Sequence, residues 1–226
     1  MSGSLIDRLK AAPIVPLIQA ESPATAKATV EALLAGGLTV VEVVLRTDGA
    51  MACLREVARS FPQAIVGAGT VLTPDQAREA IDAGAAFIVS PGLEEQVVRV
   101  ATDKSLPIFP GIATATELQH AWNLGLRTVK FFPADLAGGP PMLKALASVF
   151  RGVRFMVTGG ISAVNLADYL ALPEVIWFST AAGTRISQGS SRSSRFVTRS
   201  VSGNPSRVRF RRWYSMTRGI SSPSGL

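Results

Sequence analysis

The sequence predicts an α/β fold, a (β/α)8 TIM barrel, from three observations. Short apolar runs rich in Val, Ile and Phe recur every ~20–26 residues, the spacing of parallel strands joined by crossover helices. Amphipathic helical patterns fill the gaps between them. No Gly-x-Gly-x-x-Gly follows the first apolar run, which weighs against the rival, a doubly wound open sheet.

Strands are expected at Pro13–Ile18, Thr39–Leu45, Ala64–Ala68, Ala86–Ser90, Pro107–Phe109, Thr128–Phe132, Val153–Val157 and Glu174–Phe178. Helices are expected at Ala24–Ala35, Met51–Ser60, Pro74–Ala83, Glu94–Thr102, Ala115–Leu124, Pro141–Phe150 and Ser162–Ala171. Thr73-Pro74-Asp75 and Ser162 with Asn165 read as helix starts, because a side-chain oxygen there can accept from a free backbone N–H. Gly36-Gly37, Gly84 and Gly125 read as helix ends.

Composition narrows the function classes. No apolar run approaches the ~18 residues of a membrane span. The N-terminal residues lack the charged-then-apolar layout of a signal peptide, so a cytoplasmic location is expected. A single cysteine, Cys53, excludes an internal disulfide, and a single histidine, His120, leaves no zinc constellation. The net charge of +7 is unevenly spread. Residues 1–174 carry 14 Lys and Arg against 16 Asp and Glu, a balance of −2, whereas residues 175–226 hold nine arginines and no acid. The basic excess belongs to the tail and is no nucleic-acid signal for the body.

Chemistry gathers at the C-terminal ends of the predicted strands, where barrels of this class place their sites. Lys130 lies on a strand between Val129 and Phe131, and alternation puts Thr128, Lys130 and Phe132 on one face. Burial there would favour the neutral amine, the form that attacks carbonyls. The plainer reading is an edge strand with the ammonium in water. Glu42 sits amid valines, a costly place for an unpaired carboxylate, and shares a face with Arg46. Either the two form an internal ion pair, or Glu42 is a general base and Arg46 grips a ligand carboxylate. They would lie ~13 Å apart on a straight strand, so Arg46 must fold back. Gly67-Ala68-Gly69-Thr70 leaves space and a hydroxyl at the lip, and Ser90-Pro91-Gly92 and Pro110-Gly111 read as tight turns at the same rim. Thr158-Gly159-Gly160-Ile161-Ser162 leads into a helix, and it is either a phosphate cradle or a packing feature.

Taken in order and spacing, Ile14-Val15-Pro16, Glu42-Val43-Val44-Leu45-Arg46-Thr47, Val66 to Leu72, Ser90-Pro91-Gly92, Lys130-Phe131-Phe132-Pro133-Ala134 and Thr158 to Ser162 resemble one family. It is the 2-keto-3-deoxy-6-phosphogluconate (KDPG) and 4-hydroxy-2-oxoglutarate aldolases, class I lyases on a (β/α)8 barrel. The resemblance covers about residues 10–172. It implies that Lys130 forms a Schiff base and Glu42 transfers protons. It also implies that Arg46 and Thr70 hold the keto-acid carboxylate, Phe132 walls the pyruvate pocket and Thr158 bears on stereochemistry. Gly159, Gly160 and Ser162 would hold the phosphate. The implied partner is a small keto-acid sugar phosphate, cleaved to pyruvate and glyceraldehyde 3-phosphate without metal or cofactor in a homotrimer. A phosphate-binding barrel that is non-catalytic or an isomerase is the competing class.

The departure from the family is the tail. Where the family shows an eighth strand ending in a Gly-Gly-Ser-Trp-like turn and a closing helix, this chain reads Ser179-Thr180-Ala181-Ala182 and then Ser/Arg-rich sequence. The expected division is a barrel at residues 1–178 and a tail at 179–226, with the last turn and helix degraded or replaced. A shifted reading frame from about Phe178 would explain the sudden loss of acids and periodicity. The alternative is a genuine basic extension in which Arg207 to Tyr214 interleaves arginine with aromatics to bind nucleic acid.

Overall fold

The computed structural model describes Leu5 and residues 13–181. Nine parallel strands form one sheet: β1 (Ile14–Ile18), β2 (Val40–Val44), β3 (Ile65–Gly69), β4 (Phe87–Val89), β5 (Ile108–Phe109), β6 (Gly111–Ile112), β7 (Thr128–Phe131), β8 (Arg154–Thr158) and β9 (Val175–Ala181). Between them run α1 (Pro23–Ala35), α2 (Ala50–Ser60), α3 (Pro74–Asp82), α4 (Glu95–Asp103), α5 (Ala115–Asn123), α6 (Gly139–Val149) and α7 (Leu166–Leu170). The order around the sheet is β5-β4-β3-β2-β1-β9-β8-β7-β6.

The ring closes at Pro110. This residue has no N–H to give, so it splits one strand into β5, which pairs with β4, and β6, which pairs with β7. Its carbonyl still accepts from the Lys130 N–H at 2.8 Å. The nine segments are therefore the eight strands expected from sequence, with the fifth broken. Pro110-Gly111 lies inside that strand and is not a rim turn. Gly111 is needed there because a Cβ would stand 2.0 Å from the Pro91 carbonyl oxygen.

Helix starts follow their local signals. Thr73 Oγ1 accepts from the Gln76 N–H at 3.2 Å, and Thr114 forms a reciprocal capping box with Glu117. One start is displaced. The last helix begins at Leu166, four residues after the expected Ser162, because Asn165 Oδ1 accepts from the Ser162 N–H at 2.8 Å and holds the intervening residues in turns.

Two apolar layers pack helices onto the outside of the barrel. One joins α1–α4 to the outward residues of β1–β5, including Val41, Val43 and Ile88; the other joins α5–α7 to Val129, Phe131, Phe155 and Phe178. A third cluster fills the lumen: Val15, Val40, Phe87, Val89, Phe109, Met156 and Trp177. Phe109 meets Trp177 edge-on at 4.9 Å between centroids, and Phe87 lies 5.9 Å from Phe109. Val40 and Phe87 open their strands, so this plug closes the N-terminal side and leaves the C-terminal ends for chemistry.

β9 runs to Ala181, three residues past the expected strand end at Phe178. The tail beyond it, with the family's last turn and closing helix, Arg207 to Tyr214 and the reading-frame question, lies outside the described residues. Among the described residues, no helix is long and apolar enough to cross a membrane.

Candidate active site

Lys130 belongs to β7, an interior strand held between β6 and β8. Its outward neighbours Val129 and Phe131 pack against helices, so the lysine points into the lumen and is 2% exposed. The edge-strand reading with the ammonium in water fails on this burial. Burial pushes the Lys130 amine below its ordinary value; the Glu42 charge opposes that fall, and the Arg46 charge adds to it. Phe132, one position nearer the mouth on the same face, sets its ring centroid 5.0 Å from Lys130 Nζ.

Glu42 is fully buried at the middle of β2, and neither carboxylate oxygen has a hydrogen-bond partner among the described residues. The internal ion pair with Arg46 is therefore absent. Burial raises the Glu42 pKa above its ordinary 4.5, against the lowering pull of Lys130 and Arg46. The carboxylate has room only because Gly69 lacks a side chain: a Cβ there would sit 1.9 Å from Glu42 Oε1. Gly67 serves the plug instead, since its Cβ would fall 2.2 Å from the Phe87 ring. The sequence showed small residues that leave space; it did not show which side chain each one accommodates.

Arg46 reaches the rim by a bend. β2 ends at Val44, and the Arg46 N–H donates to the Val44 carbonyl at 2.9 Å, a three-residue turn. Arg46 Nε then donates to Thr70 Oγ1 at 3.0 Å, joining two residues 24 apart in sequence. Thr70 has φ +59°, a left-handed conformation costly for a β-branched residue, so its hydroxyl is held at the rim against local preference.

On the far side of Lys130, Thr158 ends β8 with a buried Oγ1 that has no partner among the described residues. Gly159 and Gly160 follow at φ +94° and +79°. A Cβ on Gly159 would lie 3.1 Å from Pro133 Cα, and one on Gly160 would lie 2.3 Å from Asp135 Cβ. Packing against the loop after β7 thus demands both glycines, whatever else they do. Ser162 is engaged within its own loop, where its Oγ lies 3.3 Å from Asn165 Oδ1. Asn165, in sequence no more than a helix-start signal, ties this loop together by donating to the Gly160 carbonyl at 2.9 Å and to Asp135 Oδ1 at 3.3 Å. The helix after Ser162 is a single turn starting six residues beyond Gly160, so the glycines do not sit at a helix N-terminus.

Chemically, the lumen pairs an amine whose pKa burial lowers with an unpartnered carboxylate over an aromatic floor, and it places an arginine and a hydroxyl together at the rim. Comparison with known proteins places the chain in a family. A family model described as KDPG and KHG aldolase matches residues 5–193. The KHG/KDPG aldolase of Escherichia coli (strain K12) is 47% identical over 168 residues, covering 74% of this chain and 79% of that protein. The 2-dehydro-3-deoxy-phosphogluconate aldolase of Dickeya dadantii is 46% identical over the same length, with the same coverage. A solved KDPG aldolase from Legionella pneumophila, with pyruvate captured at low pH as a covalent carbinolamine intermediate, has a TM-score of 0.74 and 40% identity, covering 77% of this chain and 84% of that one. The chain belongs to the KDPG and KHG aldolase family.

Proposed function

We propose that this protein is a class I aldolase that cleaves 2-keto-3-deoxy-6-phosphogluconate to pyruvate and glyceraldehyde 3-phosphate, and that it also accepts 4-hydroxy-2-oxoglutarate. The observation that carries this reading is an amine and a carboxylate buried together in the lumen, the carboxylate without a partner. A barrel that only bound phosphate, or only isomerised its ligand, would have no use for that costly pair.

In this reading, the Lys130 amine attacks the C2 ketone, and the carbinolamine loses water to give an iminium. Glu42, through a water, takes the C4 hydroxyl proton. The C3–C4 electron pair flows into the iminium as an enamine, and the aldehyde half departs. Protonation at C3 and hydrolysis return pyruvate and the free amine. The elevated pKa of Glu42 suits a group that must both take and return a proton. Arg46 and Thr70 grip the keto-acid carboxylate, Phe132 walls the pocket, Thr158 governs the face of attack, and Gly159, Gly160 and Ser162 receive the phosphate.

Incubation with pyruvate and borohydride, followed by mass spectrometry, tests the assignment. A stable adduct on Lys130, absent from Lys130→Ala, is expected; labelling at another lysine overturns it. The Ser179-Thr180-Ala181 ending replaces the family's glycine-rich turn, so phosphorylated substrate is expected to lose much of its advantage over 2-keto-3-deoxygluconate. A strong measured preference for the phosphate ester would argue that another segment completes the cradle. A cytoplasmic homotrimer fits this reading; exposed Leu136 and Val164, on the neighbouring loops after β7 and β8, are apolar surface that a subunit contact would cover. Light scattering tests the trimer.

A further inference from the structure

Three lumen side chains end in buried oxygens that find no hydrogen-bond partner among the described residues: Glu42, Thr158 and Ser179. The first two have places in the proposed chemistry. Ser179 has none so far, and it stands where the family resemblance would put a glycine.

Its placement is set by alternation and register. Trp177 packs in the lumen with Phe109 and Met156, while Phe178 faces outward beside Phe155 and Val157. Ser179, two residues after Trp177 and 2% exposed, therefore points inward. Its Cα partners are Thr158 on β8 and Val15 on β1. Thr158 points inward by the same alternation from Met156. The two hydroxyls thus lie on adjacent paired positions, one inward step nearer the mouth than Met156 and Trp177. Met156 is in turn the register partner of Lys130.

Buried hydroxyls are nearly always bonded, and two neighbours left free suggest a place shaped for polar groups brought by a ligand. The layout says which part of the ligand. Arg46 and Thr70, on the loops after β2 and β3, would take the keto-acid carboxylate. Lys130 on β7 takes C2, and the chain beyond the scissile bond continues over β8 and β9. We propose that Ser179 is a specificity-determining residue that, with Thr158, forms a paired-hydroxyl step binding hydroxyl groups on the aldehyde half of the substrate. This rests on the aldolase reading above. Each hydroxyl both donates and accepts, so the pair can satisfy a substrate hydroxyl in either sense. An aldehyde without hydroxyls leaves both side chains orphaned, and sites of this kind discriminate strongly against such analogues.

The test uses the full chain and two three-carbon acceptors in aldol addition of pyruvate, glyceraldehyde and propanal. The wild type is expected to favour glyceraldehyde. Ser179→Ala should lower kcat/KM for glyceraldehyde about tenfold, the worth of one hydrogen bond, and leave propanal within about twofold. The thermal midpoint of the ligand-free variant should hold or rise, because an unsatisfied buried hydroxyl has been removed. A hydroxyl with a merely structural role would lower the midpoint and slow both acceptors alike. Ser179→Gly removes the same oxygen with less bulk, and it should give the same loss of discrimination if the alanine variant folds poorly. Equal effects on the two acceptors, or none on glyceraldehyde, overturn the assignment. Pyruvate trapping on Lys130 separates the two levels. Trapping without acceptor discrimination sinks only the role of Ser179, and absence of trapping sinks the aldolase reading and this role with it.

Discussion

Two carboxylates on the same barrel are treated in opposite ways. Glu56, on the outer surface, receives Arg59, Lys27 and Ser60, and those bonds hold its pKa down at about 2. Glu42, in the lumen, receives nothing, and burial drives its pKa up. Glu56 meets its partners at the surface, whereas the lumen leaves Glu42, Thr158 and Ser179 without partners among the described residues and crowds a lysine among them. Unpaired buried polarity is costly to a folded chain. Among the described residues the other such group is the Tyr169 hydroxyl in the outer layer, so three of the four side chains with unpartnered buried oxygens face the lumen, where binding would supply the partners.

The sharpest way to break this contrast is Lys130→Ala, which should reduce aldol cleavage to background, as followed by pyruvate release. Next comes Glu42→Gln, expected to cost about 10²- to 10⁴-fold in kcat/KM while pyruvate still traps on Lys130. That variant also carries a pH signature. The Glu42 charge raises the Lys130 pKa, so removing it should move the rise of trapping rate to lower pH. A shift to higher pH, or none, would mean that the two charges do not act on each other.

Paired glycines sharpen the comparison within the lumen. Gly69→Ala pushes a methyl group into the Glu42 carboxylate, the mobile end of a side chain, and should cost activity about 10- to 100-fold with little loss of thermal stability. Gly67→Ala pushes into the packed Phe87 ring and should cost stability instead, about 1–3 kcal/mol by chemical denaturation. If both variants lose stability alike, Glu42 is as rigidly packed as Phe87 and its freedom to serve chemistry is in doubt.

The smallest effect belongs to the surface. Glu56→Gln should leave activity untouched. Because the folded pKa of Glu56 lies below its ordinary 4.5, its bonds contribute stability above pH 4.5 that is lost as pH falls toward about 2. The variant should flatten the acid dependence of the thermal midpoint across that window, by an amount that solvent screening keeps small.

Much of this was legible in the chain. Strand alternation alone put Lys130 and Phe132 on one face and Glu42 amid valines, because a side-chain period of two needs only local sequence. Alternation failed where the backbone left the strand. The face shared by Glu42 and Arg46 ends at a turn after Val44, and Ser162, read as a helix start, belongs to a bonded loop. Ser179 stands out in the sequence only as a departure from the family, since nothing near it in sequence says that its neighbour is Thr158.

By itself, then, the sequence determined the βα rhythm, the apolar faces that build the two outer layers, and the inward residues of each strand, because all of these follow from short-range periodicity and burial. Only the tertiary structure decided where the ring closes, which hydroxyl Arg46 meets, which glycine makes room for Glu42 and which buried oxygens stay unpaired. Those outcomes depend on register between strands far apart in the chain, where a shift of one residue turns every side chain to the other face.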